Sequence, residues 1–573
     1  MLKKRSTYFI FFSIQIYIII RTMSKNKETK FSRVVLIIFL ILFSLILVKA
    51  GFVIFSNKEK PISYKDPEVA KTVIRGNIID TNDNLLAVEI PVYNLVFLKK
   101  EIDSLTLASQ TVAPYLDMTP QEIMKKCESS NNYTLIKRKL NTEDLEKLRK
   151  DIKDSNLTNG VIIEKVTGRT YPASFHASQI IGFTNTENVG IEGIEYKYND
   201  LLSPYPSLNE STTFGATVQL TLDLDIQYLM DVQVQNIIKN EDPDYIMAII
   251  TNAKTGEILA SSSSPWYDLN NYSVSTEEQR FNRITGYNYE PGSVFKVFTL
   301  ASVMEKGIDT TTPFYCDGEE TFTVDGQKFV ISCHEAHKEV TAKEMISKSC
   351  NGAIASWVLQ LDKTYFYDFL KSLGFGTYID AGLTAQGKGV LNPINSWSNR
   401  SQATLAFGQE IAVNALQVVA AASAIANDGM WVKPQILKSI YDKNGNTLEL
   451  PTIETKRVMS AETAQKIRSY MLEATQTGTA ILANVPGVDI ASKTGTSEII
   501  NTETNSYVGG STLASTLALV PAQDPKFIIY FAVANPKNNV WGANVASPAI
   551  ASIVNGLIGQ GKIQSNIQKS VEL

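Results

Sequence analysis

One stretch limits the folds open to this chain more than any other. Tyr289-Glu290-Pro291-Gly292-Ser293-Val294-Phe295-Lys296 leads into an apolar run over 297–304, and neither Gly nor Pro recurs until Gly307. Pro-Gly marks a sharp turn. The residues after it suit a helix buried in a core. Ser293 then falls in the first turn of that helix, at the positive end of its dipole. Lys296, three residues on, shares a helix face with it. A serine hydroxyl is a weak nucleophile at neutral pH and needs an adjacent base. A desolvated lysine can be that base, because burial disfavours its charged form. Alone the pair means little: most serines and lysines at this spacing are an N-cap and a solvated charge.

Two further stretches change that balance. Ser349-Cys350-Asn351 follows, and Lys493-Thr494-Gly495-Thr496 comes much later. S-x-x-K, S-x-N and K-T-G in this order form the serine active site of penicillin-binding proteins and related β-lactamases. On these residues the chain resembles the penicillin-binding protein family.

Ahead of that site lie two apolar runs. The first, 8–20, is short, contains Gln15 and is flanked by Lys3, Lys4, Arg5 and Arg21. It resembles a signal-peptide core without a clear cleavage site. The second, 34–55, has the length of a spanning helix. Lys49 near its outer end can snorkel. Arg21, Lys25, Lys27, Lys30 and Arg33 precede it, which puts residues 1–33 in the cytoplasm and everything after Phe55 outside. The expectation is a single-pass anchor in the cytoplasmic membrane; the first run is open to two other readings, an upstream extension ahead of a start at Met23, or a second membrane helix or hairpin. A net charge of −4 gives no basic field for nucleic acid.

Residues 66–215 read as mixed strands and helices, with a strand over 73–80, a polar turn over 81–84 and an amphipathic helix over 141–153 capped by Thr142. Here too the family shows. Arg75-Gly76-Asn77-Ile78-Ile79-Asp80-Thr81-Asn82-Asp83-Asn84-Leu85-Leu86-Ala87 resembles the motif R-G-x-I-x-D-R-N-G-x-x-L-A of class B penicillin-binding proteins. Thr81 and Asp83 replace its Arg and Gly. Arg169-Thr170-Tyr171-Pro172, Gly182-Phe183 and Gly190-Ile191-Glu192-Gly193-Ile194-Glu195 resemble pedestal motifs of the same class. A glycosyltransferase domain has no counterpart here, as no carboxylate pair stands in an apolar setting.

The resemblance implies an α+β architecture: a transmembrane helix, a mixed α/β pedestal (the family's dimerisation-type domain), a transpeptidase domain over 216–560 and a tail over 561–573. The catalytic fold is expected to be a five-stranded antiparallel sheet flanked by helices. Strands are expected at 245–251, at 257–261, around Lys493, at 512–520 and at 527–535, with helices at 353–361 and 548–558. Lys254-Thr255-Gly256, a second K-T-G, reads as a hairpin turn.

The implied chemistry assigns a role to each motif residue. Ser293 attacks the penultimate D-Ala carbonyl of a peptidoglycan stem peptide, and Lys296 takes the proton. Ser349 relays it to the leaving amine. Asn351 orients Lys296 and binds the substrate amide. The N–H groups of Ser293 and Thr496 hold the oxyanion. Lys493, Thr494 and Thr496 receive the terminal carboxylate, and Gly495 leaves the strand edge bare. An amine of a second strand resolves the acyl-enzyme into a cross-link, and β-lactams acylate Ser293. Tyr289-Glu290-Pro291-Gly292 and Phe407-Gly408-Gln409-Glu410 point to the division-type branch. The implied partners are a SEDS-type membrane glycosyltransferase and other divisome proteins. Rivals are a D,D-carboxypeptidase or β-lactamase on the same site, or a β-lactam sensor or divisome scaffold without catalysis. The mechanism requires no cofactor and no metal. Cys316, Cys333, His334 and His337 cluster ahead of Ser349. They are open to three readings: a Cys316–Cys333 disulfide, zinc ligation by Cys316, Cys333 and His337, or free thiols. Cys350 reads as a small filler.

Overall fold

The computed structural model describes Phe43 and residues 72–566, apart from 129–130, 141, 208–210 and 502–505. Among these residues no helix is long and apolar enough to cross a membrane. The anchor expected at 34–55 lies outside the described residues, Phe43 excepted, as does the run 8–20. Every element below belongs to the compact unit Lys71–Leu573.

Five strands form the catalytic sheet, in the order Ala491–Asn501, Ser506–Val520, Phe527–Ala534, Tyr245–Asn252, Ile258–Ser264. Each pairing is antiparallel. Phe527–Ala534 reads FIIYFAVA and is buried at every residue. Alternation of side chains across a strand sends successive residues to opposite cores. Ile529, Phe531 and Val533 join the helices Leu224–Glu241 and Gly542–Gly559 on one face. Ile528, Tyr530 and Ala532 join the core of the other face. Helices on both faces explain why this strand lacks polar alternation.

That second core holds the helix Lys296–Glu305, buried from Lys296 through Val303. Ser293 precedes it on a 3-10 turn, Gly292–Phe295, rather than in its first α-turn. Lys254-Thr255-Gly256 is a hairpin turn as expected, with Gly256 at φ 72°. Two helix boundaries differ from expectation, and the strands expected at 257–261 and 512–520 are Ile258–Ser264 and Ser506–Val520. The last helix starts at Gly542 and carries Pro548 inside it. The helix after Ser349 runs Asn351–Val358, starting at the motif itself.

A seven-stranded sheet joins pedestal to catalytic domain. Its order is Thr447–Glu449, Leu437–Tyr441, Thr217–Leu220, Ile78–Ile79, Leu85–Leu98, Tyr133–Lys137, with Val161–Thr170 also on Leu85–Leu98. Ile78–Ile79 runs parallel to Thr217–Leu220. Two domains read as consecutive thus share one sheet across the 215/216 boundary. The strand expected over 73–80 is two short strands, Thr72–Ile74 and Ile78–Ile79. The break between them lets Arg75 turn inward. Its Nε donates to Glu195 Oε2 at 2.7 Å. Arg169 Nε donates to Glu195 Oε1 at 2.6 Å. All three side chains are buried. The helix expected over 141–153 opens as a 3-10 turn, Thr142–Asp144, and continues as Leu145–Asp154.

Candidate active site

Three chain segments converge beside the edge strand Ala491–Asn501. Gly292 takes φ 56°, and its N–H donates to Gly408 O at 3.3 Å. A Cβ on Gly408 would stand 2.3 Å from Gly292 O. The turn bearing Ser293 is thus clamped by Phe407-Gly408-Gln409. On its other side it meets the K-T-G strand. A Cβ on Gly495 would lie 2.7 Å from Ser515 Oγ, 2.9 Å from Val294 Cγ2 and 3.1 Å from Pro291 O. This revises the reading of Gly495. Its missing side chain admits the nucleophile turn, rather than baring the strand for substrate.

The lysines define the electrostatics. Lys296 Nζ donates to Ser349 O at 2.5 Å and to Ser349 Oγ at 3.1 Å. Lys493 Nζ donates to the same Ser349 Oγ at 3.0 Å and to Thr494 O at 2.9 Å. Both lysines are fully buried and make no ion pair among the described residues. Burial lowers the Lys296 amine to about 8. Lys493 falls well below the usual lysine range, first through burial and then through repulsion from Lys296. Such shifts follow from removing a cation from water with no anion to replace the solvent.

Ser349 itself is held in the left-handed region at φ 62°. A non-glycine residue there carries about 1–2 kcal/mol of backbone strain. The conformation ends the helix Ala342–Lys348 and turns Ser349 Oγ toward both lysines.

Ser293 and Ser349 line one cleft of about 680 Å³, together with Asn351, Thr494, Gly495 and Thr496. Ser293 is half-buried on its wall. Asn351 departs from its expected role. Its Nδ2 donates to Ser332 O at 2.8 Å, so it fastens the neighbouring hairpin instead of orienting Lys296. Thr494 Oγ1 donates to Thr479 Oγ1 at 3.0 Å. Thr479 was not legible in the motifs, since it lies in a loop that only tertiary contact brings to the strand. Trp541 and His334, with rings edge-to-face at 4.9 Å, also line the cleft.

Residues 246–555 match the family of the penicillin binding protein transpeptidase domain, and residues 70–214 match the penicillin-binding protein dimerisation domain. The chain belongs to the class B penicillin-binding proteins. It is 30% identical over 551 residues to stage V sporulation protein D of Bacillus subtilis, covering 91% of this chain and 84% of that protein. It is 27% identical to the peptidoglycan D,D-transpeptidase FtsI of Buchnera aphidicola, covering 93% of this chain and 96% of the other. The crystal structure of penicillin binding protein 3 from Mycobacterium tuberculosis with aztreonam shares the fold. Its TM-score is 0.70 at 24% identity, over 87% of this chain and 98% of that one.

Within this penicillin-binding fold the pedestal motifs explain themselves. Asp80 Oδ1 accepts from the N–H groups of Asn82 and Asn84, both at 2.8 Å, and its Oδ2 from Leu224 N at 3.1 Å. It closes the turn and ties it to the start of the first catalytic helix. Asp83 occupies the left-handed φ of 67° that a glycine would favour, and its Oδ1 accepts from Gln219 Nε2 at 3.0 Å.

Proposed function

We propose that the chain is a membrane-anchored serine D,D-transpeptidase that cross-links peptidoglycan stem peptides through an acyl-enzyme on Ser293. The observation that carries this reading is the convergence of two buried lysines on Ser349 Oγ in the cleft that Ser293 lines. Lys296, its amine near neutrality, is suited to accept the Ser293 proton at working pH. Ser293 Oγ forms a bond to the D-Ala carbonyl carbon. The C–N bond to the terminal D-Ala breaks, and the proton passes through Ser349 to the leaving amine. Backbone N–H groups of Ser293 and Thr496 stabilise the oxyanion, each worth about 3 kcal/mol. The open edge of Ala491–Asn501 can pair with an extended peptide. Lys493, Thr494 and Thr496 hold its terminal carboxylate, and Asn351 contributes a contact to its amide. The amine of a second strand then attacks the ester carbonyl and releases Ser293.

The Buchnera relative bears the name of a D,D-transpeptidase and the Bacillus relative that of a sporulation protein. We assign this chain to septal wall synthesis, at the outer face of the cytoplasmic membrane. The partner we assign to it is a SEDS-type glycosyltransferase that supplies the glycan strands. The test is to incubate the full chain with labelled penicillin and map the adduct by peptide mass spectrometry, and, in a separate reaction without penicillin, to supply nascent uncross-linked glycan. The expected results are a single adduct on Ser293 and cross-linked peptide dimers. An adduct elsewhere, or release of D-Ala with no dimers, overturns the reading.

A further inference from the structure

Beside the cleft lies a cluster that the acyl-transfer chemistry does not use. The strands Phe314–Cys316 and Lys338–Val340 pair antiparallel, with Cys316 opposite Lys338. This register brings Cys316 to His337. Cys333 follows the strand Gln327–Ser332, and its N–H donates to Gly318 O at 2.7 Å. Cys350 stands between the two catalytic residues of the S-x-N motif. The four ligand atoms all lie within 4.8 Å of one another.

We propose that Cys316, Cys333, His337 and Cys350 form a tetrahedral zinc site that fastens the S-x-N segment to the Glu319–Ser332 hairpin. The edges of the cluster carry the assignment. Zn–S bonds of about 2.3 Å and a Zn–N bond of about 2.0–2.1 Å give tetrahedral S···S edges of about 3.8 Å and S···N edges of about 3.6 Å. Cys316 Sγ and Cys333 Sγ are 3.8 Å apart, as are Cys333 Sγ and Cys350 Sγ. Cys316 Sγ and His337 Nδ1 are 3.5 Å apart. All four cysteines of the chain's described residues are free thiols.

The surroundings fit thiolates. Asn351 N and Gly352 N donate to Cys333 Sγ at 3.2 and 3.5 Å, and Ala353 N to Cys350 Sγ at 3.4 Å. Outer hydrogen bonds of this kind orient metal ligands. Three thiolates and one Zn²⁺ carry a formal charge of about −1. That charge would stand beside Lys296, which already interacts electrostatically with Cys350 and Cys333. The hairpin supplies the structural need. Among the described residues its strands Glu319–Val324 and Gln327–Ser332 pair only with each other, and the hairpin meets the core through Ile331, Phe322 and Phe329 alone while its other face is exposed. A lone two-stranded hairpin is marginal in water, and a metal at its base is an effective staple. Binding converts three thiols to thiolates and releases their three protons.

The test uses the full chain, solubilised under reducing conditions, with metal content measured alongside thiol mapping. About one zinc per chain is expected, lost to a chelator and regained on addition of zinc alone. Cobalt in its place should give the intense visible bands of a tetrahedral thiolate site. Cys316→Ser and His337→Ala should each weaken zinc retention by roughly tenfold or more. Should Cys316→Ser fail to fold, His337→Ala read by the cobalt spectrum serves in its place. Less than about a tenth of a zinc per chain after zinc addition, or a Cys333–Cys350 or Cys316–Cys333 disulfide in the reduced preparation, overturns the site. So does undiminished zinc binding in a chain that carries both Cys316→Ser and His337→Ala.

Discussion

Two buried groups of cations sit in this molecule, and they are built in opposite ways. In the pedestal, Arg75 and Arg169 close on one carboxylate, Glu195, at 2.7 and 2.6 Å. Arg75 spends its remaining donors on Asn188 O, Asn199 Oδ1 and Glu195 O. In the cleft, Lys296 and Lys493 share a neutral hydroxyl. The first arrangement returns to each charge most of what water supplied. The second returns little, and both amines are driven toward neutrality. A buried charge that is paired serves structure. A buried charge left unpaired beside a nucleophile stores reactivity. Substitutions at the two places should therefore separate stability from chemistry.

The largest effect is expected at the cleft with no cost to the fold. Ser293→Ala removes the acylated hydroxyl from a half-buried turn whose backbone is held by Gly408. Covalent penicillin labelling should vanish while the melting temperature stays within about 1 °C, because the removed atom carries almost no packing. Residual labelling at the same rate would break the comparison at its active end.

The pedestal should behave in the opposite sense. Glu195→Ala strands two buried arginines, a loss of about 3–5 kcal/mol. Denaturant melts should show it, and labelling per folded molecule should be unchanged. Arg169 Nη2 already lacks a partner, so no spare acceptor is at hand to soften the loss. Equal stability in the variant would mean that the triad is not the keystone of the pedestal.

Lys493→Met tests whether the cleft cation carries a stability cost. It keeps the volume and removes a desolvated amine without an ion pair. The melting temperature should hold or rise, while acylation by carboxylate-bearing β-lactams falls about 10²-fold. The pH profile sharpens the point. Lys296 acts as a base only when neutral, and burial brings its amine to about 8. Acylation should climb with pH up to that region and level off above it. In pH-jump labelling, a rate flat from pH 6 to 9 would remove Lys296 from the role of base.

How much of this was legible in advance differs between the two regions. The catalytic motifs could be read because their order along the chain is itself informative, and all three segments line or underlie one cleft. A strand at Lys493 and the hairpin at Lys254-Thr255-Gly256 follow from local pattern, although the strand begins at Ala491 and runs on past the motif instead of reaching back to Val488. The pedestal triad was visible only as three separate motifs, since Arg75 and Glu195 are 120 residues apart and pairing across that span has no local signal. The motif alone directs Asn351 to Lys296, but its bond to Ser332 depends on a hairpin whose docking is tertiary. The strand alone gives Gly495 a bare edge, because the approach of Val294 and Ser515 has no local signal. Cys350 reads as a filler because its separation in sequence from Cys316 and Cys333 hides the cluster that the fold brings together.

The smallest effect is expected where the chain departs from its family's motif. Asp83 stands where glycine is usual and keeps the left-handed backbone at φ 67°. The strain costs about 1–2 kcal/mol. Against it stands the bond from Gln219 Nε2 at 3.0 Å, worth about 0.5–1.5 kcal/mol. Gln219 also accepts from Ser439 and Tyr441, so the side chain of Asp83 joins a network that crosses from pedestal to catalytic domain. In Asp83→Gly the two terms should nearly cancel, leaving unfolding stability within about 1 kcal/mol of the parent and penicillin labelling unchanged. Destabilisation well beyond that value would show that Asp83 is a full member of the interdomain network rather than a tolerated substitute for glycine. The pedestal would then hold its catalytic neighbour through uncharged and charged contacts alike.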